Sequence, residues 1–151
     1  MKTIFDLLKE HTFFEELDEN YIKIIAECGQ NIHSSPGQYL AREGAPADSF
    51  YILRKGNAHV EINAAPYGTK LIHSLSAGDI AGWSWIFPPY TWRFDIKVTS
   101  SLSAIALDAA CLRKKCESDH TLGYQLMKKF AYIMTNRLKE TRVQLLDIYG
   151  K

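Results

Sequence analysis

At 151 residues, with 46% hydrophobic and 23% charged side chains, the chain has the size for one domain around one buried core. A formal net charge of +1 argues against whole-molecule attraction to nucleic acid or to an anionic membrane, and no apolar run reaches the length of a membrane span. The charge is uneven: residues 1–108 carry nine basic and thirteen acidic side chains, residues 109–151 nine basic and four acidic, a surplus that fits the solvated faces of helices better than a polyanion site.

The N-terminus places Asp6, Lys9 and Glu10 among its apolar residues, so it lacks a signal-peptide core and a cytoplasmic protein is expected. Ile4, Phe5, Leu7 and Leu8, then Tyr21, Ile22, Ile24, Ile25 and Cys28, recur at helical spacing, with Asp18 at an N-cap position. Two short helices therefore occupy residues 1–30. Cys28, Cys111 and Cys116 are too few and too irregularly spaced for a disulfide framework, and a reducing compartment is expected.

From Asn31 to Asp108 the punctuation is Gly, Pro and Asn, and the runs between are short and rich in Ile, Val, Tyr and Phe. Strands are predicted over Tyr39–Arg42, Phe50–Arg54, Ala58–Asn63, Lys70–Leu75, Trp92–Thr99 and Leu102–Leu107. Short, evenly spaced strands of this kind close into a sandwich or barrel. Residues 109–151 return to helix, with Asp108 and Asp119 as caps. In the last helix, His120 to Ile148, two sets of residues repeat every seven: Tyr124, Ala131, Leu138 and Leu145, and Met127, Met134, Thr141 and Ile148. Together they form an a/d seam that predicts a homodimer. A second stripe, Leu122, Leu126, Phe130 and Ile133, is suited to cover the barrel; one wide stripe on a monomer is the alternative.

This order of elements, in a single domain spanning 1–151, resembles the cyclic-nucleotide-binding domain of the catabolite-activator and fumarate-nitrate type of bacterial regulator. Phe13–Leu17 is similar to the family's entry turn, and Ser35–Leu40 to its first glycine turn. The closest match is R-E-G-A-P-A-D-S-F-Y-I-L-R-K-G over Arg42–Gly56, followed by L-S-A-G-D-I-A-G over Leu75–Gly82. The resemblance implies a mainly β fold with flanking helices, an eight-stranded jelly-roll barrel (a double-stranded β-helix) with a binding cleft inside it, and a dimer through the long terminal helix. It also implies a non-catalytic regulatory domain.

The departures fall in the phosphate-binding cassette, where the resemblance implies a Gly-Glu pair followed, after a short helix, by an Arg and a small residue. Here Gly82 is followed by Trp83, Ser84 and Trp85, and an indole has one donor and no acceptor for a ribose hydroxyl. Further on, Trp92, Phe94, Ile96 and Val98 alternate with Arg93, Asp95, Lys97 and Thr99. Strand geometry therefore turns Trp92 and Phe94 inward and Arg93 outward, toward Asp95 or a loop. A phosphate monoanion among indoles would lack a cation to offset its lost hydration. The aromatics, Tyr90 among the candidates, either fill the cleft or stack on a flat or cationic ligand. Two alternatives stand beside this reading. Arg93 reaches inward at a bulge and makes a genuine cyclic nucleotide sensor, or the chain is a ligand-free dimerisation scaffold.

Metal and cofactor chemistry is not expected. The histidines show no His-x-His spacing, and the single Glu-x-x-His, Glu117 to His120, has no second histidine beside it, although a hairpin at Pro66–Gly68 could set His59 opposite His73. Cys28 and His11 lack a recognisable haem context, and three cysteines cannot hold a cluster. No nucleophile-base pair or phosphate loop stands out. The sequence stops at Gly150–Lys151, before any helix-turn-helix, so no direct DNA binding is expected of it.

Overall fold

The computed structural model describes residues 1–150. Thr3 caps α1 (Ile4–Glu10) with a reciprocal capping box to Asp6, and a single 3-10 turn follows at Thr12–Phe14. Asp18 caps α2 (Glu19–Ala26). Six antiparallel strands then form one sheet: β1 (Gly29–Ser34), β2 (Tyr39–Ala41), β3 (Ser49–Asn63), β4 (Thr69–Leu75), β5 (Ile80–Ala81) and β6 (Asp95–Asp108). The hydrogen-bonded path is β1-β6-β3-β4, with β2 also on β6 and β5 also on β3. Asp108 and Asp119 accept the free amides at the starts of α3 (Ala109–Ser118) and α4 (His120–Tyr149).

The predicted mainly β jelly roll with helices at both ends is the fold observed, with six strands in place of eight and an open sheet. Two predicted pairs, Phe50–Arg54 with Ala58–Asn63 and Trp92–Thr99 with Leu102–Leu107, each run on as one strand, β3 and β6. They bend together where their register shifts between Leu53 and Ala58. Gly56 sits at that bend with φ +87°, and a Cβ there would lie 2.2 Å from the Ser101 carbonyl oxygen. The two backbones approach so closely that only glycine fits. β1 and β5 are additional strands, and β6 begins at Asp95, three residues after Trp92.

The core lies inside the roll and under α4. Leu122, Leu126 and Phe130 are fully buried. Phe130 meets the rings of Phe13, Phe50 and Trp85 edge-on at 5.1 to 5.4 Å, so one helical stripe joins the N-terminal turn to the roll.

Three expectations are corrected. Cys28, between α2 and β1, and Cys111, in the first turn of α3, form a disulfide across 83 residues of sequence, with Cα atoms 5.7 Å apart. Spacing along the chain hid a pair that folding brings together, and only Cys116 is free among the described cysteines. His59 does not face His73: β4 pairs His59 with Ser74 and Val60 with His73, so the histidines point to opposite faces. Arg93 does not engage Asp95, whose carboxylate instead accepts the Glu43 amide at 2.8 Å and lies 3.7 Å from Arg42 Nε.

Candidate functional site

β5 leads directly into the cassette. Ile80 and Ala81 pair with Ile52 and Tyr51 of β3, and the chain then turns at Gly82 with φ +100°. Where the family resemblance implies a short helix, Trp83–Ile86 makes one turn, closed by the Ile86 amide on the Trp83 carbonyl at 3.1 Å. Beyond it the Phe87–Pro89 tip is exposed, and Tyr90 follows with φ +56°.

Trp92 closes the cassette. Its amide donates to the Ala45 carbonyl at 2.9 Å and its carbonyl accepts from the Gly44 amide at 2.8 Å. The flanking chain is tied in the same way, by the Ala47 amide on the Tyr90 carbonyl at 2.7 Å. This clamp fixes the indole against Gly82, where an added Cβ would come within 2.4 Å of the ring. Trp92 is 4% exposed and Phe94 tilts against it at 5.9 Å, whereas Arg93 is exposed. The space beside the Gly82 backbone is thus taken by an indole, and the adjacent guanidinium stands in solvent.

The other two tryptophans face different partners. Trp85 is buried and stacks on Phe50 with centroids 5.2 Å apart, and its Nε1–H is buried without an acceptor. Its carbonyl accepts from Arg113 of α3 at 2.7 Å, while the Arg113 guanidinium lies 4.0 Å from the Tyr90 ring centroid. Trp83 is half-buried, 5.7 Å from the Arg137 guanidinium of α4, and Arg137 Nη2 donates to the Ile80 carbonyl at 3.0 Å. Ser84 is buried between them. The predicted residues Gly82, Trp92 and Phe94 therefore meet at one wall, Trp85 belongs to the core, Trp83 faces the terminal helix, and Arg93 joins none of them.

Arg113 and Arg137 were not foreseen as part of this site. For Arg137 a signal was present: it continues the Leu126, Phe130, Ile133 stripe at helical spacing, a cation on a core-facing row. Burial lowers its affinity for its proton, with the nearby Asp79 and Glu140 carboxylates opposing that effect. Further along α4, Glu140 meets His73 Nδ1 at 3.0 Å and Gln144 Nε2 donates to the Ile72 carbonyl at 2.9 Å. The helix is thereby fastened to β4 and β5 by polar contacts. Among the described residues no group of three or more His, Cys, Asp or Glu is placed to hold a metal.

The predicted seam residues divide between two surroundings, with Met127 and Met134 packed against the core. Tyr124, Ala131, Leu138, Leu145 and Ile148 are exposed, and Met127, Met134 and Thr141 are half-buried. No helix among the described residues is long and apolar enough to cross a membrane.

Comparison with known proteins places this geometry. A putative cyclic nucleotide-binding protein from Geobacter metallireducens GS-15 superposes with a TM-score of 0.79 at 24% identity, covering 91% of this chain and 99% of that one. A cyclic nucleotide-binding domain from Methylobacillus flagellatus does so with a TM-score of 0.80 at 17% identity, covering 95% and 81%. In sequence, cGMP-dependent protein kinase 2 of Mus musculus is 28% identical over 107 residues, 71% of this chain and 13% of the kinase. A cGMP-dependent protein kinase of Drosophila melanogaster is 33% identical over 78 residues, 51% of this chain and 8% of that one, so the chain spans a small part of such relatives. The profile of the cyclic nucleotide-binding domain matches residues 32–119, more than half of the chain, from the middle of β1 to the cap of α4. The chain belongs to the cyclic nucleotide-binding domain family.

Proposed function

We propose that the protein is a non-catalytic, dimeric regulatory module that does not take cyclic AMP in its family's usual manner, because aromatic rings occupy the seat of the cyclic phosphate. The observation that carries this reading is the contact of Trp92 with Gly82. An indole held by backbone bonds on both sides leaves no room for a phosphate beside that glycine, and displacing it would break the packing with Phe94. A phosphate brought to this wall would gain no ion pair from Arg93, which is exposed, and Arg42, the cation lining the same concavity, already stands 3.7 Å from the Asp95 carboxylate. Trp83 replaces the expected carboxylate and engages Arg137, so the cassette communicates with α4 through an arginine and an aromatic face. The exposed seam residues of α4, Tyr124, Leu138, Leu145 and Ile148, support pairing with a second copy.

Calorimetry with cyclic AMP and cyclic GMP, on the native protein and on Arg93→Ala, tests the reading. No micromolar binding is expected from either protein. Micromolar binding by the native protein that is lost in Arg93→Ala would overturn it.

A further inference from the structure

A second concavity lies outside the cassette. The 3-10 turn at Thr12–Phe14 and its continuation to Leu17, the turn Gly78–Ile80 and one flank of α4 enclose a cleft of about 970 Å³. This volume is sufficient for a small organic ligand. Its walls combine apolar surface from Phe13, Leu17 and Ile133 with the exposed ring of Tyr132. The flank of α4 that lines it, Gln125, Lys128, Lys129, Tyr132 and Asn136, lies away from the heptad seam, and of the seam residues only Tyr124 touches the cleft.

The charges in this cleft are unequally satisfied. Asp79 accepts the Ser76 amide at 2.8 Å, Glu140 pairs with His73, and Lys129 Nζ donates to the Glu15 carbonyl at 2.8 Å. Lys128 and the carboxylates of Glu15 and Glu16 lie on exposed residues at the rim. Arg137 differs from all of these. It is half-buried, and of its five N–H groups one is engaged, by the Ile80 carbonyl; the nearby Asp79 and Glu140 carboxylates do not come within ion-pair distance of it. A planar fork of donors held out of bulk water is matched by a carboxylate, which accepts two parallel N–H bonds. The four acids of the lining, Glu15, Glu16, Asp79 and Glu140, outnumber its three cations, Lys128, Lys129 and Arg137, which disfavours a doubly charged phosphate.

We propose that this cleft binds a small monocarboxylate with a flat apolar body, its carboxylate on Arg137 and its body between Tyr132 and the Phe13, Leu17 and Ile133 wall. Because Arg137 also touches the Ile80 carbonyl and faces Trp83, occupancy would be felt where α4 meets the cassette. The proposal rests on this cleft alone and is independent of how the cassette is read.

Titration with benzoate and phenylacetate, followed by amide and Arg Nε–H resonances, tests it, with inorganic phosphate as the competing anion. Expected are saturable shifts at millimolar ligand or below, centred on Arg137, Asp79, Ile80 and Tyr132. Loss of the fork in Arg137→Lys is expected to weaken binding about tenfold, and Arg137→Gln to abolish it. Should the glutamine variant fail to fold, Arg137→Lys and Tyr132→Ala decide, each expected to weaken binding. The proposal is overturned by three outcomes: no saturable shift with either carboxylate, saturation by phosphate in preference to them, or carboxylate affinity unchanged in the variants that fold.

Discussion

The two halves of α4 both carry apolar residues at helical spacing and have opposite surroundings. In the first half Leu122, Leu126 and Phe130 are fully buried against the roll and the N-terminal turn. In the second, Leu138, Leu145 and Ile148 are 51%, 47% and 69% exposed, and the chain itself offers only polar handholds, Arg137 on Ile80, Glu140 on His73 and Gln144 on Ile72. One continuous helix thus serves as core at one end and leaves its apolar residues exposed at the other, where the proposed reading sets a second copy. Hydrophobic period alone does not separate these uses; what separates them is whether the same chain supplies a facing surface.

Truncating each half gives the largest contrast. Phe130→Ala removes a ring that contacts three other aromatics and should cost about 3–5 kcal/mol of unfolding free energy, read from denaturant melts. The disulfide ties the start of α3 to the residue before β1, and Cys111→Ser should cost about 2–4 kcal/mol with no change in sedimenting mass. Leu138→Asp, in contrast, should move the monomer's own stability by only about 0.5 kcal/mol, as exposed substitutions do. Its effect should appear as a fall in mass from dimer to monomer. An unchanged mass would remove the seam, and a collapse of monomer stability would show that both halves are core.

The same contrast explains what could be read in the sequence. Caps at Asp18, Asp108 and Asp119 and the inward set Trp92, Ile96 and Val98 are local signals, written in neighbouring residues, and they reappear in the structure as helix starts and as buried side chains, whereas Phe94 and Asp95 are equally half-buried because β6 begins only at Asp95. β1 was not legible because Gln30, Asn31 and His33 give it no apolar row; it is a strand because β6 hydrogen-bonds it from Leu102 to Leu107. The Cys28–Cys111 bond, the offset of His59 from His73 and the capture of Asp95 by the Glu43 amide are likewise consequences of tertiary register. In the cassette the residue types were legible, but the clamp of Ala45 and Gly44 around Trp92 was not. Nor was the reach of Arg113 and Arg137 from two helices, because each contact joins segments distant in the chain.

Acid should probe both halves with a smaller effect. His11 Nδ1 accepts the Phe13 amide at 3.2 Å at the turn that packs on Phe130, and burial lowers its pKa below the ordinary 6.5. His73, beneath the second half, is lowered as well, first by burial and then by Arg137, with Glu140 opposing. A histidine whose folded pKa is depressed contributes stability that is complete above the unfolded pKa. As pH falls below about 6.5, the unfolded chain takes up protons that the folded chain resists, so stability declines until the folded pKa is passed. Melts between pH 8 and about 5 should therefore show stability that is flat above about 6.5 and falls below it. His11→Asn, which retains an acceptor for the Phe13 amide, should flatten the part belonging to the first half, and His73→Gln the part belonging to the second. If His73→Gln also makes the dimer's mass insensitive to acid, the polar fastening of α4 to β4 sets the geometry of the seam. If only the monomer's melt responds, the fastening and the seam are separate devices on the same helix.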